Sequence, residues 1–120
     1  MHRGHHLIVD CYEVPREFCL DDKMMMRTIA DAAEEAGVNV IGCMRYHFGH
    51  NSPPGFAVVV MLDESHCSAH SYADDGIIAL DFFTCGTTDP LEIWTKLRTR
   101  MPETIRYNTT CFQRMESSNA

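Results

Sequence analysis

At 120 residues the chain is long enough for one small domain with a single core and little margin beyond it. Apolar residues make up 45% and charged residues 22%, the balance of an ordinary globular protein, and no apolar run approaches the roughly 20 residues of a membrane-spanning helix. The net charge of −7 comes from 10 basic and 17 acidic residues interspersed without a Lys/Arg block. That argues against a nucleic-acid partner, because no electrostatic stripe would hold phosphates.

The chain opens with Met1-His2-Arg3-Gly4-His5-His6, followed by no long apolar stretch and no small-residue cleavage site, so a cytoplasmic protein is expected. His6 to Tyr12 reads as the first strand. Asp21 to Ala36 reads as a helix, with Asp21 and Asp22 at its start and Gly37 where a left-handed terminal residue is wanted. Met24, Met25, Ile29, Ala32, Ala33 and Ala36 share one side of it, and the Met24-Met25-Met26 run is read as core filling rather than as a ligand set. Val38 to Phe48 is a second strand, and Gly49 to Gly55 a loop by its turn residues. Phe56 to Asp63 is a strongly apolar strand, Cys67 to Ser71 a short extended piece, and Ile77 to Cys85 another strand. Asp89 and Pro90 open a second helix through Arg100, and Thr104 to Phe112 closes the domain as a strand. Residues 113–120 are expected to form a polar, frayed tail. This order predicts an α+β fold: a two-layer αβ sandwich, a mainly antiparallel sheet with two helices on one face.

Cys11, Cys19, Cys43, Cys67, Cys85 and Cys111 show neither a disulfide framework nor a C-x-x-C pair. Most are expected to be reduced and to act as small buried hydrophobes. His66 and His70, four apart in an extended run, face the same side. With Cys67 and Cys85 they suggest a metal site, but the usual second pair of ligands is missing and no metal is expected. Ser65 with a histidine suggests a hydrolase, although no G-x-S-x-G elbow is present. A polar strand serine with no chemical role is an equally good reading of these residues alone.

The run Glu64-Ser65-His66-Cys67-Ser68-Ala69-His70-Ser71, continued by Gly76, Ala79, Asp81 and Phe83-Thr84-Cys85-Gly86, resembles the signature of the small prokaryotic S-adenosylmethionine decarboxylases. Gly4-His5-His6-Leu7, Gly37 and Asp89-Pro90-Leu91 with Trp94 extend that resemblance over most of residues 4–100. It implies a self-processing enzyme of polyamine biosynthesis whose cofactor is a pyruvoyl group made from Ser65. Ser65 Oγ would attack the Glu64 carbonyl to give an ester; removal of the Ser65 α-proton then eliminates the upstream chain, and the dehydroalanine hydrolyses to pyruvoyl and ammonia. Fragments 1–64 and 65–120 result. The resemblance makes His70 the base of the elimination and Cys85 the acid that reprotonates Cα after carbon dioxide leaves. His66 takes a positioning role, and Phe48, Tyr72 and Asp74 hold the substrate. The implied partners are a small-molecule amino acid and a second copy of the chain, packed sheet to sheet so that each site draws on both protomers, with no nucleic acid and no membrane.

The chain departs from the family pattern in three places. Ala57 stands where the family has a processing serine, with Ser52 and Ser68 as candidate replacements. Tyr72-Ala73-Asp74 replaces W-P-E, and the loop Gly49 to Gly55 is about three residues longer, so that Phe48 rather than Asn51 is aligned with the family's stacking phenylalanine. S-adenosylmethionine is the expected substrate. Ornithine or arginine on the same fold is the alternative, and a non-processing partner subunit is the reading from another class.

Overall fold

A computed structural model of the protein describes residues 2–116. Six strands, β1 (His2–Tyr12), β2 (Val40–Phe48), β3 (Gly55–Leu62), β4 (Ser65–Tyr72), β5 (Ile77–Cys85) and β6 (Arg106–Glu116), form one sheet in the order β2-β3-β4-β5-β1-β6. Every neighbouring pair is antiparallel. The helices α1 (Arg16–Cys19), α2 (Asp22–Glu35) and α3 (Pro90–Arg98) accompany it, and α2 and α3 pack on each other and on the sheet. The predicted α+β sandwich is therefore the fold, with a sheet wholly rather than mainly antiparallel.

Period-2 alternation decides which side chains the helices cover. In β3, Phe56, Val58, Val60 and Leu62 are buried while Val59 and Met61 stay exposed on the opposite face. Leu7, Val9 and Cys11 of β1 and Ile78, Leu80 and Phe82 of β5 join the same covered layer. Met25, Ile29, Ala32 and Ala33 of α2 and Ile93, Trp94 and Leu97 of α3 close over it. Each large apolar side chain removed from water here contributes about 1.5–3 kcal/mol. Met25 is fully buried and Ala36 packs at the edge of the core, as the helical spacing suggested; Met26 also packs at that edge, whereas Met24 is only half-buried.

The caps follow the sequence. Asp21 accepts a hydrogen bond from the Met24 amide at the start of α2, Gly37 beyond its end has φ 89°, and Asp89 accepts from the Leu91 amide at the start of α3. Several elements differ from expectation. The single turn α1 is too short to show a period and is set by Pro15 at its start. Helix α3 ends at Arg98 rather than Arg100. Gln113 to Glu116, expected in the tail, belong to β6, because β1 extends back to His2 and pairs with them; residues 117–120 of the expected tail lie outside the described residues.

Asp22 ties α2 to the edge strand β2. Its carboxylate accepts from Arg45 at 2.7 Å and from His47 at 3.2 Å while itself largely buried. Burial alone would raise its pKa, but the hydrogen bonds from Arg45 and His47 outweigh that and hold it below the ordinary 3.8. A carboxylate with a depressed folded-state pKa stabilises the fold fully above its unfolded value and loses that contribution as pH falls through the folded one. Asp22→Asn is thus expected to cost about 1–3 kcal/mol at neutral pH. The gap from the parent should close in acid below about pH 4, as thermal melts of both proteins across pH would read directly.

Candidate active site

Strand β4 carries most of the site. Ser65, Cys67, Ala69 and Ser71 point into the covered layer, while His66, Ser68, His70 and Tyr72 point to the open face of the sheet. The strand is longer at both ends than the predicted Cys67 to Ser71, because antiparallel ladders to β3 and β5 hold a run that is itself mostly polar.

The Glu64–Ser65 bond lies in the tight hairpin between β3 and β4, where Leu62 pairs with Ser65. Glu64 has φ 61°, a left-handed conformation that costs a residue with a side chain about 1–3 kcal/mol. Ser65 is 9% exposed. His66 pairs with Phe83, so continuation of that register by two residues sets Cys85, at the end of β5, across from Glu64. Cys85 is half-buried on the open side and pairs with Gly4 of β1. Cys67, by contrast, is fully buried, which pushes its thiol up to about 12, and burial likewise raises Cys11 to about 12 and Cys19 to about 11. These three are the inert small hydrophobes expected. Cys43 and Cys111 are exposed, so that role falls to half of the cysteines rather than most.

At the other end of β4 the open face holds an aromatic array. His70 is stacked between Phe48, with ring centroids 5.2 Å apart, and Tyr72, at 4.8 Å. Phe48, Ser52, Pro53, His70, Ser71 and Tyr72 line a hollow of about 180 Å³. Phe48, the last residue of β2, thus brings its ring against His70. Ala57 lies directly across from His70 on β3. Ser52 shares the hollow with His70, whereas Ser68 donates to Asp81 at 3.4 Å nearer the centre.

The sequence-predicted residues thus fall into two groups. Glu64, Ser65 and Cys85 sit together at one end, and Phe48, His70 and Tyr72 at the other. Five residues of extended chain separate Ser65 from His70, about 16 Å along the strand. Asp74 joins neither group, because its carboxylate accepts from Arg16 of α1 at 2.7 Å. His66 stacks on Phe83 at 5.3 Å, with Arg114 over the same ring at 5.5 Å. Between the two groups lies a pair the sequence reading missed, His6 with Asp81 at 3.0 Å. Strand parity was the available signal, since it sets both on the open face. Among the described residues no three His, Cys, Asp or Glu side chains converge to hold a metal ion.

A strained Glu-Ser hairpin facing a cysteine, on an antiparallel sheet that carries an aromatic array, defines a class of αβ-sandwich proteins, and comparison with known proteins specifies it. The family model for S-adenosylmethionine decarboxylase matches residues 5–115. The S-adenosylmethionine decarboxylase proenzyme of Brevibacillus brevis is 39% identical over 88 residues, covering 72% of this chain and 64% of that protein. The proenzyme of Archaeoglobus fulgidus is 29% identical over 89 residues, covering 74% and 77%. The crystal structure of the adenosylmethionine decarboxylase from Aquifex aeolicus superimposes with a TM-score of 0.80 at 24% identity, over 99% of this chain and 96% of that one, which shows the shared fold. The chain belongs to the S-adenosylmethionine decarboxylase family. The match spans 64% of the length of the Brevibacillus and Symbiobacterium thermophilum relatives, slightly under two thirds.

Proposed function

We propose that this protein is a self-processing, pyruvoyl-dependent decarboxylase that acts on S-adenosylmethionine and supplies the decarboxylated product to polyamine synthesis. The observation that carries the reading is the Phe48–His70–Tyr72 array beside its small hollow. Flat apolar faces suit a purine. Ornithine or arginine would instead need an uncompensated carboxylate to meet the distal cation, and the nearby Asp74 is already neutralised by Arg16.

The residues around Ser65 fit the formation of the pyruvoyl group. The left-handed Glu64 stores strain at the bond that Ser65 Oγ would attack, and rearrangement to the ester releases it. Glu64→Gly removes the strain, so self-cleavage should slow by about five- to thirtyfold, the kinetic equivalent of about 1–2 kcal/mol. A time course of fragment appearance on a denaturing gel tests this, and an unchanged rate would remove strain from the account. Ser52 is suited to supply the hydroxyl absent at Ala57, which weighs against a non-processing subunit.

Once formed, the pyruvoyl ketone supplies the electron sink that decarboxylation of an amino acid requires. Cys85, half-buried at the same end of the sheet as Ser65, is suited to return a proton to Cα. His70 is suited to take the Ser65 α-proton during maturation, yet lies about 16 Å away in its own chain. A second copy resolves this. The open face exposes Met44, Tyr46, Val59, Met61, Tyr72 and Phe112, an apolar surface of the kind that marks an interface. If two such faces pack about a two-fold axis crossing β4 near Ser68, the Ser65 end of one protomer lies over the His70 end of its partner. The Ser65 side chain points into the covered layer, so the partner's His70 meets the opposite side of the Ser65 backbone, toward which the α-hydrogen tilts. Each site is then built from both chains.

Carbon dioxide release from S-adenosylmethionine, ornithine and arginine, measured in parallel on the purified protein, tests the substrate. Release from the first alone is expected; release from ornithine or arginine without it would transfer the assignment to that amino acid.

A further inference from the structure

We propose that Ser71 is a positioning residue for the substrate slot, holding His70 and Tyr72 in their stack and, through α1, the Arg16–Asp74 pair. In β4, Ser71 lies between the two aromatic residues but points the opposite way, into the covered layer, where it is 2% exposed. Its hydroxyl donates to the Cys19 carbonyl at 2.6 Å and accepts from the Phe56 amide at 2.8 Å. The direction is fixed, since a carbonyl only accepts and an amide only donates.

Both partners need this hydroxyl. Cys19 is the last residue of α1, and the carbonyls of a helix's last turn have no partner within the helix. Phe56 lies one residue beyond the Ala57–His70 pair at which the β3–β4 register ends. One side chain thus ties together α1, the start of β3 and the slot-bearing end of β4. The surroundings leave it no freedom: a Cβ added at Gly55 would come within 2.2 Å of the Ser71 carbonyl oxygen, and the Ala73 amide donates to the Pro54 carbonyl at 3.0 Å. The 49–55 loop, which contributes Ser52 and Pro53 to the hollow, is thereby fixed against β4. Because α1 also carries Arg16, the same hydroxyl sets where the Asp74 carboxylate is held.

The kinetic part of this inference rests on the proposed function; the geometric part does not. Ser71→Ala and Ser71→Thr, made in the full chain, separate the two. In Ser71→Ala the Phe56 amide should exchange with solvent much faster, and the His70 ring-proton resonances should lose the upfield shift that stacking between Phe48 and Tyr72 imposes. Self-cleavage should slow. With processing taken to completion, KM for S-adenosylmethionine should rise about tenfold or more while kcat stays within about twofold. Ser71→Thr keeps the hydroxyl on a residue suited to a strand and should restore all of these readouts. Unchanged Phe56 exchange and His70 shifts in Ser71→Ala would overturn the proposal. So would a parallel fall of kcat and kcat/KM that threonine fails to rescue, the mark of a merely structural serine. If the parent protein neither cleaves nor releases carbon dioxide, the proposed function falls, and the exchange and ring-shift measurements still decide the role of Ser71.

Discussion

Ser65→Ala is expected to leave the chain whole and inactive. The parent protein, 13.6 kDa in one piece, should resolve on a denaturing gel into two roughly half-length fragments, 1–64 and 65–120. The second should resist Edman sequencing and react with a carbonyl reagent. Alanine has no nucleophile for the Glu64 carbonyl, so the loss of cleavage and of carbon dioxide release should be complete rather than graded. The substitution should leave the fold intact, because position 65 is a strand end whose backbone pairing to Leu62 needs no hydroxyl. An uncut parent carrying an unmodified Ser65 would overturn the assignment of self-processing.

The second large effect should appear only when two inactive chains are combined. His70→Ala alone should fail to form the carbonyl-ended fragment, since both copies lack the base. Co-expressed with Ser65→Ala under separate affinity tags, the His70→Ala chain retains its own Ser65 and meets the partner's intact histidine. It should therefore be cut, while the Ser65→Ala chain stays whole. The purified heterodimer then contains one complete site and one doubly impaired site, and should show about half the parent's activity. If each site were assembled within one chain, His70→Ala would stay uncut in the mixture. A charged residue at the centre of the open face, Val59→Arg, should lower both dimerisation and cleavage, because it buries an unpaired cation against an apolar face. Sedimentation together with the gel reads both.

Most of the architecture was legible because the apolar residues keep strict strand and helix periods. Phe56, Val58, Val60 and Leu62 announce a one-sided strand, and Asp89-Pro90 announces a capped helix. What escaped reading had no local signal. The four residues of α1 are too few for a period, and Ser65-His66 looks unlike strand until β3 and β5 flank it. For the candidate site the sequence offered residue types but not their arrangement. Motif spacing brings Ser65, His70 and Cys85 together on paper, yet an extended strand carries Ser65 and His70 to opposite ends of the sheet. It also turns them to opposite faces, because five is an odd number of residues. Asp74 was read from its type alone, and only the fold reveals that Arg16, 58 residues earlier, engages it. Ser71 matched a motif position with no role attached, because its partners Cys19 and Phe56 are 52 and 15 residues distant.

The strand order β2-β3-β4-β5-β1-β6 has a consequence for a chain cut at the proposed bond. A cut between Glu64 and Ser65 assigns β1, β2 and β3 to one piece and β4, β5 and β6 to the other. The pieces do not lie side by side, since β1 is inserted between β5 and β6, both of the other piece. Neither half can leave without stripping ladders on both flanks of a strand, so a nicked molecule should stay together in native buffer. Once fully unfolded, however, it must find its other half by diffusion. Recovery after denaturation should then become second-order in protein, while the uncut Ser65→Ala chain refolds at a rate independent of dilution for the same sheet.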